Sequence, residues 1–361
     1  MEIAAGALRA FYLYDVADTI DLKRLRTVGG EGLSPADLPL RPHTSPSYLQ
    51  FPTPPLIARL PTVTSDGLTV LRRVKLFDYG VISIRLSVEF AGSWDEFVAL
   101  AARLRSSAEL SELARAAADA VTAEVAHVLD DPHPALVEDY FIAEIDRFAN
   151  AISSADLLAE HGPQLVRLLS GETGPFSSLQ IDESLRQRYS YYTDDLTIVQ
   201  WDGALVYDRR ESADAIEDIL EFANSQLVEL RTYDALLDRE LDAIYAAQPG
   251  KPVRSPFGRG AADQAASLRY LIVDVLELTD RANNALKIIG DAYYARIYRA
   301  AVSRLALGDW HRQIDRKLES IGDMYRFVSD QARSTRDQFL EIVVIVLIAL
   351  ELVVGVLTLH R

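Results

Sequence analysis

Leu68-Thr69-Val70-Leu71-Arg72-Arg73-Val74-Lys75-Leu76-Phe77-Asp78-Tyr79-Gly80-Val81-Ile82-Ser83-Ile84-Arg85-Leu86-Ser87-Val88-Glu89-Phe90 is a long run rich in Val, Ile, Leu and aromatic residues, broken once at Asp78-Tyr79-Gly80. Such a run with turn residues at its centre predicts two strands meeting at a turn or bulge. Working outward toward the N-terminus, Leu56 to Val63 is a further extended run and Leu8 to Val16 reads as a strand. Between these, Asp21 to Arg26 reads as a short polar helix stopped by Gly29-Gly30-Glu31-Gly32, and Pro35 to Pro55 as a loop. Toward the C-terminus, a helix is expected from Trp94 to Arg105 with Ser93 as N-cap, and another from Glu109 to Leu129 that ends at Pro132.

The same order of elements then recurs. Val137 to Phe148 reads as a strand and Ala155 to Leu169 as a helix. Leu196 to Val199 and Ala204 to Asp208 form a strand pair around Trp201-Asp202-Gly203, and a helix follows from Asp214. Both halves read β-α-β-β-α, each with an aromatic-Asp-Gly turn, which suggests a pseudo-repeat, although that turn is also ordinary hairpin chemistry. The expected fold class is α+β: an antiparallel or mixed sheet with helices on one face over residues 1–212, followed by long C-terminal helices.

From residue 213 the chain becomes almost purely helical. Ile216, Leu220, Ala223, Leu227, Leu230, Asp234, Leu237, Leu241 and Ile244 step by four and three residues, a seam interrupted by one carboxylate. A second helix carries Leu268, Ile272, Val275, Ala282, Leu286, Ile289 and Tyr293, and Gly308-Asp309 turns the chain into a third. There Ile314, Leu318, Ile321, Tyr325, Val328, Ala332, Thr335, Phe339 and Ile342 keep the pattern into an apolar tail, so residues 213–338 read as a coiled-coil-like region continuous with that tail. Spare apolar edge on these helices predicts homo-oligomerisation.

The tail, Phe339 to Leu359, has Glu341 and Glu351 as its only charged groups and is long enough to cross a hydrocarbon core of ~30 Å. Leu, Ile and Val at roughly −0.45 kcal/mol each outweigh the ~3 kcal/mol of one central Glu, so insertion is favoured. Met1 to Ala10 has Glu2 where a secretory signal would carry positive charge, and its apolar run is broken by Arg9 and Asp15. The expectation is a single-pass protein of the inner (cell) membrane, tail-anchored, with the bulk of the chain cytoplasmic and Glu351 inside the membrane.

Composition removes several function classes. The 361 residues contain no Cys, which excludes disulfides, thiolate metal sites and thiol nucleophiles. The formal net charge of −16 opposes a phosphate backbone, so nucleic acid is disfavoured. The excess of Arg over Lys, 32 against five, reads as genome composition rather than a partner signature. There is no P-loop, nucleophile elbow or His-Glu-x-x-His motif. Gly258-Arg259-Gly260 follows no strand and fails as a dinucleotide fingerprint, and Glu124-Val125-Ala126-His127 is only half of a di-iron motif. No metal site and no cofactor are expected.

Two polar features remain on the first long helix. Asp214, Glu217, Asp218 and Glu221 form an acidic stripe opposite the apolar seam, suited to a divalent cation or a basic partner and equally to a solvated face. Phe222 to Asp234 brings Asn224, Gln226, Glu229, Arg231 and Asp234 into a helix otherwise able to pack as plain coiled coil. Together with Asp202 these residues define either a buried polar network that fixes register between sheet and helices or a ligand site.

The Phe77-Asp78-Tyr79-Gly80-Val81 turn, the long helices after Asp214 and the ending Leu340-Glu341-Ile342-Val343-Val344-Ile345-Val346-Leu347-Ile348-Ala349-Leu350-Glu351 resemble the family of the protein "required for meiotic nuclear division 1". The resemblance covers most of the chain from about Ala7. It implies relatedness to fungal proteins and to a mitochondrial protein that supports mitochondrial translation, and it implies no catalytic residues. Where that family carries a Ser-His-Ala-Leu-Ala-Gln-Ser stretch, this chain has Glu221-Phe222-Ala223-Asn224-Ser225-Gln226, without the His. The functional expectation is a non-enzymatic membrane-anchored scaffold or adaptor whose cytoplasmic domain binds a protein partner. The alternative is an enzyme using Asp202 and the polar groups from Asn224 to Asp234.

Overall fold

Strand β1 (Glu2–Ile20) organises the molecule, pairing antiparallel with β7 (Val81–Ser93) on one side and with β8 (Leu129–Phe148) on the other. The computed structural model describes residues 1–29, 31–32, 34–35, 53–172, 174–246 and 292–323. Beyond β7 lie β6 (Leu68–Leu76), β5 (Leu56–Ser65) and the short β4 (Ser34–Pro35). Beyond β8 lie β11 (Gly203–Tyr207), β10 (Leu196–Val199) and β9 (Arg188–Tyr189). Among the described residues the sheet order is β4-β5-β6-β7-β1-β8-β11-β10-β9, with β2 (Thr27–Val28) and β3 (Glu31–Gly32) in a separate ribbon.

The chain is α+β, with an N-terminal mixed sheet and helices toward the C-terminus, and the helices occupy both faces of the sheet rather than the expected one. Alternation along β1 shows why. Leu8, Ala10, Tyr14 and Val16 join the hydrophobic cluster of α1 (Trp94–Arg105), α2 (Ala108–Val125) and α3 (Ser154–Ser170), against which the short α4 (Ser178–Ser184) packs. Arg9, Phe11, Leu13 and Asp15 are also buried but, at a period of two, point the other way. That second face is covered by α5 (Arg210–Ala246) and α6 (Ala292–Arg304). A sheet coated on one side would have left those four residues wet.

Several elements form as their sequences dictate. Ser93 caps α1 in a complete capping box with Glu96. The turn at Asp78-Tyr79-Gly80 separates β6 from β7 and is pinned to β1 by Val16 N–H donating to Gly80 O (3.1 Å) and Ile20 N–H to Asp78 O (2.9 Å). Gly80 has φ +87°, and a Cβ there would fall 1.6 Å from Ala17 O. Only glycine fits.

Other expectations need correction. The segment expected as helix Asp21–Arg26 is a single 3-10 turn, Leu22–Arg24. The helix expected to reach Leu129 ends at Val125, and β8 begins at Leu129 and runs through Pro132 and Pro134. Proline is tolerated there because β11 pairs with β8 only from Phe141 onward, leaving the earlier part of β8 with one neighbour. The two halves do not repeat in pairing sense: β1 meets β7 antiparallel, whereas β8 meets β11 parallel. The break before the last described helix, α7 (307–323), falls at Leu305–Ala306, with Ala306 at φ +52°, and Gly308-Asp309 lies inside α7.

The chain divides into two compact units, and among the described residues the first holds 1–233 and 292–311, the second 234–246 and 312–323. In the second unit Lys317 bridges Asp234 (2.6 Å) and Asp238 (2.5 Å), Gln313 donates to Asp234 (2.9 Å), and Ile314 and Ile321 are buried one heptad apart. Among the described residues no helix is long and apolar enough to cross a membrane. The segment Phe339–Leu359, with Glu351, lies outside the described residues, as does the stretch from Leu268 to Ile289 that the sequence pattern expects as helix.

Candidate functional site

The polar groups of α5 meet the sheet along a buried ionic seam. Arg9 on β1, 1% exposed, is clamped between Glu144 of β8 and Glu217 of α5, the latter at 2.5 Å. Glu217 also takes Arg85 of β7 (3.1 Å). One turn on, Glu221 receives Lys75 and Arg73 (3.3 Å) of β6, and Asp218 receives Lys75 (2.7 Å). Further along α5, the Tyr79 and Ser225 hydroxyls are 2.7 Å apart and Thr232 is hydrogen-bonded to Asp15. From Arg9 to Asp15 a strand rises roughly 20 Å at ~3.3 Å per residue, and from Glu217 to Thr232 a helix rises about 22 Å at ~1.5 Å per residue. The matching rises place α5 along β1, pointing the same way.

Burial and like charge perturb this seam strongly. Desolvation, then repulsion from Glu217, lifts Glu144 to about 8 against the pull of Arg9. Burial opposes the charge of Arg9, but Glu217 and Glu144 outweigh it and its pKa rises. Burial brings Arg85 down to about 10 and lifts Asp15 to about 7. Replacing such a network by apolar side chains often costs nothing, whereas removing one partner strands a charge, so its role is to fix register and orientation.

The sequence-selected residues do not converge. Asn224 is buried and its Nδ2 donates to Leu220 O within the helix (2.8 Å). Gln226 accepts from the Tyr298 hydroxyl of α6 (2.8 Å). Glu229 is 3% exposed, Arg231 pairs with Glu138 of β8, and Asp234 binds Lys317. Asp202 lies in the β10–β11 turn and pairs with Arg105 of α1, which stacks 5.2 Å from the Phe141 ring. Arg105 and Phe141 belong to the α1–α3 side of the sheet, so Asp202 is on the face away from α5.

Two clefts open on the sheet. One, of about 250 Å³, is lined by Tyr12, Arg105, Asp139, Tyr140, Gly171 and Asp202, among others. The second, of about 280 Å³, lies over the small residues Ala4, Ala5 and Gly6 and is rimmed by Glu89, Glu144, Asp146 and Arg210. None of Asn224, Gln226, Glu229, Arg231 and Asp234 lines either. No metal-holding group of three or more His, Asp or Glu occurs among the described residues.

The acidic stripe Asp214, Glu217, Asp218 and Glu221 has its basic partner within the chain: Arg9, Arg73, Lys75 and Arg85. Half of it is not a solvated face, since Glu217 is 1% and Glu221 2% exposed, while Asp214 is exposed and Asp218 half-buried. The missed half of the seam had a readable signal. Arg9 and Asp15 share one face of β1 with Phe11 and Leu13 between them, and Lys75, Arg85 and Glu144 each sit between apolar neighbours in their strands.

Residues 5–214 match the family model described as "Uncharacterized protein MJ0711, N-terminal domain". A relative, "Uncharacterized protein MJ0711" from Methanocaldococcus jannaschii, is 25% identical over 199 residues, which cover 55% of this chain and 60% of the relative. The chain spans about three-fifths of the length of that curated relative. No solved structure matches.

Proposed function

The chain belongs to the family of the uncharacterised protein MJ0711, N-terminal domain, and from that premise we propose that it is a non-enzymatic scaffold held at the inner membrane. In this reading the sheet unit binds a protein partner on the cytoplasmic side. The long helices assemble a homo-oligomer, and Phe339 to Leu359 is the anchor. One observation carries the choice of scaffold over enzyme. Asn224, Gln226, Arg231 and Asp234, which acid–base chemistry would need, are engaged with helix backbone, α6, β8 and α7 in turn, and they line neither of the two clefts described above. A buried network of ion pairs between helix and strands holds a helix on a sheet; it does not present a reacting group to a substrate.

The resemblance to the "required for meiotic nuclear division 1" family belongs to the same proposal. Its supporting residues are Phe77 to Val81, which build the turn under Ser225, and the apolar ending from Leu340 to Glu351.

Membrane fractionation tests the anchor. Carbonate-washed membranes are expected to retain the full chain and to release a chain truncated before Phe339. Recovery of the intact chain in the detergent-free soluble fraction contradicts the reading.

A further inference from the structure

The cleft between α1, α3 and the start of β11 has a charge pattern that selects its occupant. Arg105, the cation that lines it, is already committed: it pairs with Asp202, stacks on Phe141, and is packed so closely that a Cβ on Gly203 would meet its guanidinium at 2.7 Å and a Cβ on Gly171 its side chain at 3.4 Å. Gly203 is also constrained by Phe141 O, 2.5 Å from where a Cβ would sit. The Trp201-Asp202-Gly203 turn is thus built around Arg105.

What remains open in the cleft is electronegative. Asp139, exposed at the cleft, has no ion-pair partner among the described residues. Tyr12, its cross-strand neighbour, keeps its proton, since burial first and Asp139 second push its pKa up to about 12. The C-terminal ends of two helices, α1 at Ser106 and α3 at Gly171, line the same space, each adding roughly half a negative charge. Trp201, next to Asp202, is 69% exposed, an unusual place for the residue type most enriched at the centres of interfaces.

We propose that this cleft receives an arginine side chain from a basic segment of the protein partner, with Asp139 and the helix-end carbonyls holding the guanidinium. The planar guanidinium suits the site because it presents several donors to acceptors on different elements and stacks on aromatic faces. Charge complementarity supports the commitment, since a chain of net charge −16 attracts basic partners. The inference rests on the scaffold reading for the partner being a protein; the chemistry of the cleft stands apart from it.

The test is a ligand-observed NMR titration of the full chain in detergent with N-acetyl-Gly-Arg-Gly-amide, and with N-acetyl-Gly-Glu-Gly-amide and inorganic phosphate as anionic probes. Saturable binding of the arginine probe alone is expected, weakened at least fivefold by Asp139→Asn and unchanged by Glu109→Gln, which removes one exposed charge on α2. A matched thermal melt establishes that Asp139→Asn is folded, and Asp139→Ser replaces it if the melt differs. Equal affinity in Asp139→Asn and Glu109→Gln, or binding of either anion as tight as that of the arginine probe, overturns the proposal. Arginine binding by a chain that fails membrane retention refutes the scaffold alone, whereas retention without arginine binding refutes the cleft alone.

Discussion

Arg9 and Glu217 meet at 2.5 Å with both side chains 1% exposed, joining the central strand of the sheet to the long helix that runs along it. With Glu144 on the neighbouring strand, the pair helps determine where α5 sits: one turn of slippage along the helix would bring Ala213 opposite Arg9 or Ser225 opposite Lys75, leaving one buried cation without its carboxylate. Breaking the clamp from one side strands a buried charge. Arg9→Met is expected to destabilise the protein by about 3 kcal/mol, and Arg9→Met combined with Glu144→Leu and Glu217→Leu to recover most of that loss. Denaturant unfolding followed by far-UV circular dichroism reads both. A triple variant less stable than Arg9→Met would show that the seam contributes more than register.

The carboxyl of Glu144 gives the seam a pH dependence of defined sign. Its pKa in the folded chain, about 8, lies above the ordinary 4.5, so the folded state holds the proton across the interval between them. Stability from this group is complete below about pH 4.5 and is lost as pH rises through about 8. Asp15, lifted to about 7, acts in the same direction. The denaturation midpoint is therefore expected to fall between about pH 5 and pH 8.5, and Glu144→Gln to flatten part of that fall. An unchanged slope in Glu144→Gln contradicts the assignment.

Gly80 tests the turn that decides the fold. With φ +87° and Ala17 O 1.6 Å from the Cβ position, Gly80→Ala forces the turn away from β1. The expected loss is about 3 kcal/mol or more, or failure to fold, read from the thermal midpoint and soluble yield. A loss below about 1 kcal/mol would mean that the turn is not held against β1.

Much of this architecture is legible in the sequence, and the failures share a cause. Val, Ile and Leu runs locate β5, β6 and β7, and the Ser93 cap locates α1, because both signals are local. The position of α5 is not local. Its acidic stripe can be read as solvent-facing because the cations that bury it, Arg9, Arg73, Lys75 and Arg85, lie more than a hundred residues earlier, on three strands. The polar residues from Asn224 to Asp234 suggest a site only if clustering along a helix is also clustering in space. A helix buried all round over residues 219–230 sends Asn224 to its own backbone and Gln226 to α6, and Arg231 just beyond reaches β8. Asp202 stands out in the sequence for its turn, but its partner Arg105 carries no pattern that points to it.

Glu351 tests the proposed anchor and oligomer together. If the apolar run Phe339 to Leu359 spans a membrane, a carboxylate about ten residues into it costs ~3 kcal/mol when it faces lipid, so the proposal puts Glu351 against another helix of the oligomer. Glu351→Leu is expected to leave membrane retention intact and to lower the yield of crosslinked oligomer. If neither Glu351→Leu nor Glu351→Gln alters that yield, the residue has no interhelical role.

The proposed scaffold assembles with copies of itself, and the mass of the protein in solution separates oligomer from protomer. Light scattering coupled to size exclusion, on the detergent-solubilised full chain at micromolar concentration with the detergent contribution subtracted, is expected to give a multiple of the 40.1 kDa protomer. A protein mass of one protomer across that concentration range would contradict it.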